Sequence, residues 1–179
     1  MPRIPIVGVM GSGVEPHAQR AGELGRWLAM TGVHLLTGGG GGVMAAVARA
    51  FHETPGRRGL VIGILPAEAF GSATPKPGYP NPWVEVPIFT HLPSGDGPTS
   101  RNHLNVLSAD VVILLPGGEV RDRVGQAWDV APRRDVGDRR FAVSDRQRGL
   151  VRGPGAAGQQ DHDVGAEDVE VVARGGSVT

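Results

Sequence analysis

Apolar runs alternate with amphipathic segments along the first two thirds of the chain. Continuous apolar runs predict buried strands at residues 4–9, 33–37, 60–66, 84–89 and 109–115. Apolar residues spaced by three and four predict helices at residues 16–30 and 43–52, and a shorter helix is expected at 101–108. Buried strands that alternate with helices indicate an α/β fold with a parallel sheet covered by helices on both faces. Pro87 favours either an edge position for the fourth strand or the limit of that strand.

Three of the predicted strands end in glycine-rich turns. The longest turn is a run of five glycines at residues 38–42, between the apolar pair Leu35 and Leu36 and an amphipathic segment that starts at Val43. Glycine permits positive φ and lets an anion approach the main chain, and a helix N-terminus after a strand favours phosphate. A flexible linker is the alternative interpretation, but the apolar residues on both sides favour a phosphate-binding turn.

The other two glycine turns follow the first and the last predicted strand, at residues 11–13 and 117–118. Ligands of an open parallel sheet bind beyond the carboxyl ends of its strands, so the three turns are predicted to line one crevice. A plain strand-to-helix turn is an equally good interpretation of residues 11–13, because the glycines there lack the spacing of the dinucleotide fingerprint. The Pro- and Gly-rich residues 66–83 predict a long loop, typical of a lid, a binding loop or a mobile segment.

Charge and composition exclude several classes of protein. The formal net charge is zero, so neither nucleic acid nor an anionic membrane is an expected partner. The chain has no cysteine, and its six histidines lack metal-ligand spacing, so we expect no metal and no required cofactor. The first residues lack a signal-peptide pattern and no apolar run is long enough to span a membrane, which favours a cytoplasmic protein.

The composition changes after Gly118. Residues 1–118 carry 15 charged side chains, whereas the shorter stretch 119–179 carries 21 and is rich in Arg, Asp, Gly and Val. A segment with so little apolar content cannot bury its share of a core, so we expect the C-terminal third to be irregular and largely disordered. The elements predicted within it are a short helix at 120–130 and a strand at 169–173.

Four motifs occur in an order that resembles a known superfamily. They are VMGSG at residues 9–13, LTGGGGGVM at 36–44, IGILP at 62–66 and SRNHLNVLSADVVILLPGG at 100–118. Together they resemble the Lonely Guy superfamily, and within it the branch of molybdenum cofactor carrier-like proteins. The resemblance covers about the first two thirds of the chain and implies a Rossmann-like nucleotide-binding domain at 1–118 and a homodimer or larger homo-oligomer. The change in composition makes residues 119–179 a polar tail.

The resemblance also implies two alternative functions. Some members hydrolyse nucleoside 5′-monophosphates to base and ribose 5-phosphate with an Arg and a Glu, whereas others are taken to bind a pterin cofactor or nucleotide without cleaving it. Arg101 matches the arginine, which can hold a phosphate through parallel hydrogen bonds. The Gly, Thr and Glu of the hydrolase pattern would fall where this chain has Val120, Arg121 and Val124, so the catalytic acid is missing.

The break in the motif coincides with the change in composition, and a shift of reading frame just after Gly118 would produce both. Sequencing the gene tests this hypothesis, which fails if no other frame continues the family pattern. Asp110 is expected to cap or pair, His103 to have a structural role, and Asn102 and Asn105 to fix the loop beside Gly117. Glu119 would need a different geometry to replace the acid.

We therefore expect a protein that binds a phosphate-bearing nucleotide or pterin-type cofactor in a glycine-lined crevice. A nucleoside 5′-monophosphate phosphoribohydrolase impaired by the missing Glu is the alternative, with Arg101 as its catalytic residue, and a chain without a working site is a third. The candidate ligand-binding residues are Gly11, Ser12, Gly13, Gly38, Gly39, Gly40, Gly41, Gly42, Met44, Arg101, Asn102, Pro116, Gly117 and Gly118.

Overall fold

The computed structural model describes residues 3–95, 99–116 and 170–173. The strands and helices there are, in chain order, β1 (Ile6–Met10), α1 (Ala18–Met30), β2 (His34–Thr37), α2 (Gly42–His52), β3 (Val61–Leu65), β4 (Val86–Phe89), α3 (Arg101–Ser108), β5 (Val111–Leu114) and β6 (Glu170–Ala173). Each of them overlaps an element predicted from the sequence, which confirms those predictions. The helix expected at 120–130 lies outside the described residues, as does the rest of the predicted tail apart from β6.

The strands form one sheet in the order β4-β3-β2-β1-β5-β6. The pairs from β4 to β5 are parallel, and β6 adds an antiparallel strand beside β5. The edge position predicted for β4 is confirmed. The chain runs outward from β1 to β4 and then returns to place β5 on the other side of β1. Ligands of α/β sheets bind beyond the strands' carboxyl ends near such a reversal.

Each face of the sheet carries its own hydrophobic core, as expected for a sheet covered by helices on both sides. Residues of α1 and α2, with Phe51 and Leu28 fully buried, pack on one face against Val9 and Leu35. On the other face α3 contributes Val106, which packs with side chains of β1, β2, β3 and β5. Successive side chains of a strand point to opposite faces, so strands this apolar supply both cores.

The close approach of α1 and α2 depends on a glycine. A Cβ placed on Gly25 of α1 would lie 2.5 Å from the backbone oxygen of Val47 and 2.9 Å from the Cβ of Ala50, both in α2. Interiors pack too densely to absorb such overlaps without moving a helix. Gly25 therefore sets the distance between the two helices that cover this face.

Two carboxylates tie the amino ends of the strands together. Glu85, just before β4, accepts hydrogen bonds from the guanidinium of Arg57 at 2.7 and 2.9 Å and from the backbone N–H of Val61 at 2.9 Å. Burial raises the pKa of Glu85, but the hydrogen bonds from Arg57 and Val61 and the positive charges nearby outweigh burial, and the pKa falls below its ordinary value. Glu85 thus joins the starts of β3 and β4.

Asp110 has the structural role expected from the sequence. It accepts a hydrogen bond from the backbone N–H of Ile6 at 2.8 Å and pairs with Arg3. This joins the start of β1 to the residue that precedes β5. Both carboxylate clusters therefore lie at the end of the sheet opposite the carboxyl ends of its strands.

Candidate functional site

A cleft of about 200 Å³ lies at the carboxyl ends of the strands. Its walls come from the ends of β1 and β2, the first turn of α2, the loops after β3 and β4, and α3. The residues that line it are Met10, Gly11, Gly38, Met44, Lys76, Tyr79, Ser94, Arg101, Asn102 and Asn105. The cleft therefore lies where the glycine turns predicted a crevice.

The structure brings some of the predicted site residues into this cleft and leaves others beside it. Gly11, Gly38, Met44, Arg101 and Asn102 line it. Other predicted residues belong to the described chain but do not line the cleft; they are Ser12, Gly13, Gly39, Gly40, Gly41, Gly42 and Pro116. The predicted Gly117 and Gly118 lie outside the described residues.

Arg101 is the charged group at the centre of the site. It begins α3, donating its backbone N–H to the carbonyl of Pro93 at 2.9 Å, and its side chain is only 3% exposed. In the described part of the chain, no carboxylate lies within ion-pair distance of it and its Nε has no hydrogen-bond partner. Burial lowers the pKa of Arg101, and the neighbouring Tyr79 opposes this shift. An arginine remains charged despite such a shift, so the site holds a buried cation.

Gly38 makes room for that cation. A Cβ at this position would lie 1.9 Å from Nη1 of Arg101 and 2.8 Å from Sδ of Met44. The guanidinium of Arg101 therefore packs directly against the main chain of Gly38, at the end of β2. The first glycine of the run thus positions an arginine, a role that the sequence pattern alone did not predict.

The last two glycines of the run, Gly41 and Gly42, pack against the turn after β1. Gly42 has φ +57°, and a Cβ there would lie 2.3 Å from the carbonyl oxygen of Ser12. That same oxygen accepts the backbone N–H of Val43 at 2.9 Å. The Ser12 hydroxyl accepts the N–H groups of Val14 and Glu15 at 3.2 and 2.9 Å. The Ser12 carbonyl therefore joins the two turns beside the cleft, whereas the Ser12 hydroxyl stabilises the first turn alone.

The long loop at residues 66–83 contributes directly to the site. Asn81 fixes it to the glycine run, donating its backbone N–H to the Gly39 carbonyl at 2.7 Å and its side-chain Nδ2 to the Gly40 carbonyl at 2.9 Å. This places the ring of Tyr79 5.9 Å from the guanidinium carbon of Arg101, within range of a cation–π interaction. The Nζ of Lys76 lies 6.0 Å from the centre of the same ring. The loop therefore forms one wall of the cleft, and the binding role predicted for it stays a prediction.

Asn105 lies one helical turn after Arg101 and also lines the cleft. Its side chain is buried at 2% exposure, and neither Nδ2 nor Oδ1 has a hydrogen-bond partner in the described chain. Buried polar atoms are nearly always paired in folded proteins, so an unpaired amide at a cleft points to a missing partner. The sequence pattern predicted that Asn105 fixes the loop beside Gly117, a residue that lies outside the described ranges. It did not predict a buried amide without a partner in the described chain.

The cleft combines cationic, amide, hydroxyl and apolar groups. Arg101 and Lys76 supply positive charge, and the thioethers of Met10 and Met44 supply apolar surface. None of the described residues that line it carries a carboxylate, and no cluster of three or more His, Cys, Asp or Glu in the described ranges could hold a metal ion. No helix in the described ranges is both long and apolar enough to cross a membrane. The arrangement suits binding of an anion attached to a flat, partly apolar group.

Comparisons with known proteins agree with this architecture. The structure is similar to the molybdenum cofactor binding protein of the phototrophic bacterium Rippkaea orientalis, at 34% identity and a TM-score of 0.51 over 66% of each chain. It is also similar to the molybdenum cofactor carrier protein MCP of Chlamydomonas reinhardtii, at 32% identity and a TM-score of 0.51 over 66% of each chain. The protein TM1055 matches at 28% identity and a TM-score of 0.50, over 64% of this chain and 62% of its own.

The chain spans just under two thirds of the length of these three relatives. A search of curated proteins gave no significant match. The family model of the SLOG cluster4 family matches residues 4–120, and so ends just after Gly118, where the sequence pattern breaks. With its Rossmann-like α/β fold and its likeness to Lonely Guy and molybdenum cofactor carrier-like proteins, the chain belongs to the SLOG cluster4 family.

Proposed function

We propose that the cleft binds a phosphate-bearing nucleotide or pterin-type cofactor and that Arg101 holds the phosphate. The observation that carries this proposal is a buried guanidinium without a carboxylate partner in the described chain. A buried charge is costly unless it is paired, and the planar fork of arginine matches phosphate geometry. A bound phosphate would supply the missing counter-charge.

The other groups that line the cleft fit such a ligand. Lys76 is an exposed second cation that can attract a phosphate, and Ser94 offers a hydroxyl. Tyr79 and the two methionines offer apolar surface to a planar ring. The volume of about 200 Å³ is below that of most small-molecule sites, so the described part of the cleft encloses only part of a nucleotide or pterin. Two structural relatives are described as binding or carrying molybdenum cofactor, which supports a ligand of this kind.

A carrier or binding role is favoured over hydrolysis. Cleavage of an N-glycosidic bond needs a carboxylate to activate water or stabilise the ribosyl centre, and no described residue lining the cleft provides one. The sequence has Val124 where the hydrolases have their Glu. We further propose that the protein acts in the cytoplasm as a homodimer or larger homo-oligomer, as its resemblance to the superfamily implies.

A thermal-shift titration tests the proposal. The protein is heated with AMP, GMP or a pterin phosphate. The wild type is compared with Arg101→Met, which keeps an unbranched apolar stem but removes the charged guanidinium. Arg58→Met is the matched control, because Arg58 is exposed and does not line the cleft. Binding at a ligand concentration of about 100 times Kd adds about 2.7 kcal/mol of stability. We expect a rise in Tm for the wild type and for the Arg58 variant only.

The same proteins are then incubated with AMP, and free adenine is measured by chromatography. The binding proposal predicts no adenine above the blank. Adenine release by the wild type that disappears in Arg101→Met would replace it with the phosphoribohydrolase alternative. A wild type that no phosphate-bearing probe stabilises would refute both.

A further inference from the structure

We infer that Asn105 determines which ring the cleft accepts: its carboxamide makes two hydrogen bonds to a heterocycle edge that presents a donor beside an acceptor. The inference rests on the proposed function, because it assumes that Arg101 holds the phosphate of the same ligand. In this inference Asn105 recognises the ring of the ligand, and Arg101 binds its phosphate. The observations that carry it are the burial, position and unpaired atoms of the Asn105 side chain.

The first observation is that both polar atoms of the Asn105 carboxamide lack a hydrogen-bond partner in the described chain. Both Nδ2 and Oδ1 of Asn105 lack a partner among the described residues, although the side chain is only 2% exposed. Asn81, another buried asparagine, differs from Asn105, since Asn81 uses both its Nδ2 and its Oδ1 in hydrogen bonds to the main chain. Burying a donor and an acceptor without partners lowers stability, so the fold retains Asn105 at a cost.

The second observation is the place of Asn105 relative to Arg101. The two residues are four apart on α3, so they lie on the same side of the helix, and both line the cleft. Within the described ranges, the Nε of Arg101 has no hydrogen-bond partner either. A single ligand that lies along this side of α3 can therefore meet a cation at one point and an amide about one helical turn further on.

The chemistry of the carboxamide defines the ligand class. It offers one donor and one acceptor side by side, which match the adjacent donor and acceptor on the edges of purines and pterins. Met10 and Met44 provide apolar contacts in the same cleft. A phosphorylated sugar without a ring, or inorganic phosphate, would satisfy Arg101 but leave Asn105 unpaired.

The test distinguishes the contribution of the ring to affinity from the contribution of the phosphate. Dissociation constants of AMP, GMP and ribose 5-phosphate are measured by calorimetry for the wild type and for Asn105→Leu, which has nearly the same shape but no polar atoms. Loss of two hydrogen bonds to the ring should weaken AMP and GMP about 10-fold or more. The affinity for ribose 5-phosphate should stay unchanged, because Arg101 is intact.

A second variant gives a readout that a merely structural asparagine would not produce. Asn105→Asp replaces the donor with an acceptor, so it favours an edge with two adjacent donors, which guanine has and adenine lacks. The ratio of GMP affinity to AMP affinity should therefore rise relative to the wild type. Both ligands carry the same phosphate, so a changed interaction with Arg101 cancels in this ratio, and the variant also decides the case if Asn105→Leu fails to fold.

The outcomes distinguish the two proposals. If the wild type binds nucleotides and neither variant changes the ratios, Asn105 is satisfied by water alone and this inference is wrong, while the proposed function stands. If the wild type binds none of the three probes, the proposed function fails and the inference fails with it. Selective loss of nucleotide affinity in Asn105→Leu, with the shift towards GMP in Asn105→Asp, supports both.

Discussion

Replacing Asn105 with leucine should make the ligand-free protein more stable, although it removes a buried side chain of the site. Leucine and asparagine both branch at Cγ, so the shape is nearly kept while two unpaired polar atoms disappear. An unsatisfied buried polar atom costs about 1–3 kcal/mol, so two of them set an upper limit of about 6 kcal/mol. The larger methyl groups of leucine need space in a packed region, which reduces the expected gain to about 2 kcal/mol.

Urea unfolding of the ligand-free protein measures this gain. With a slope of about 2 kcal/mol per molar urea, a gain of about 2 kcal/mol raises the midpoint by about 1 M. Asn81→Leu is the matched control, because the same change there removes hydrogen bonds to the Gly40 carbonyl and the Trp83 N–H at 2.9 and 3.2 Å. The control should lower the midpoint.

The urea midpoints of the two variants should therefore shift in opposite directions from that of the wild type. Equal destabilisation by Asn105→Leu and Asn81→Leu would refute the reasoning, since it would mean that the Asn105 amide has partners in solution, such as ordered water. A change in the slope rather than in the midpoint would show that the substitution altered the unfolded state or broke two-state behaviour. The pair also separates stability from ligand binding, since the measurement contains no ligand.

Three further predictions follow from single contacts. Gly38→Ala should displace the Arg101 guanidinium and weaken nucleotide binding about 10-fold or more in calorimetry, whereas Gly22→Ala, remote from the cleft, should not. Gly25→Ala should lower the unfolding midpoint by overlapping α2, while Gly22→Ala on the same helix raises stability by up to about 1 kcal/mol. Glu85→Gln should cost about 1–3 kcal/mol at pH 7. The folded pKa of Glu85 lies below its ordinary value, so the contribution of this carboxylate is present above the ordinary pKa of a free glutamate and is lost as the pH falls through the folded pKa. The urea midpoint of the variant should therefore fall less than that of the wild type between about pH 7 and about pH 3.

The elements of the fold were predictable because each carries a local signal. Apolar runs located the strands, and α3 begins and ends at the residues that were predicted for it. Pro87 correctly indicated the edge strand. Strand boundaries shifted by one or two residues, since pairing with neighbours rather than local pattern decides where a strand stops.

The site was less predictable than the fold. The glycine turns and the family motif indicated Gly11, Gly38 and Arg101, and all of them line the cleft. Lys76 and Tyr79 could not be chosen from the loop sequence, because their position depends on the hydrogen bonds that Asn81 makes to residues about 40 positions away. The antiparallel pairing of β6 with β5 likewise joins distant parts of the chain.

The sequence by itself determined the α/β architecture, the crevice at the carboxyl ends of the strands and the arginine within it, because periodicity, glycine and a short motif are local properties. Only the tertiary structure decided how these parts are used. It showed that Gly38 leaves room for the guanidinium, and that Arg101 and Asn105 are buried with polar atoms that have no partner among the described residues. Burial and pairing depend on every element that surrounds a side chain, and no local pattern encodes them.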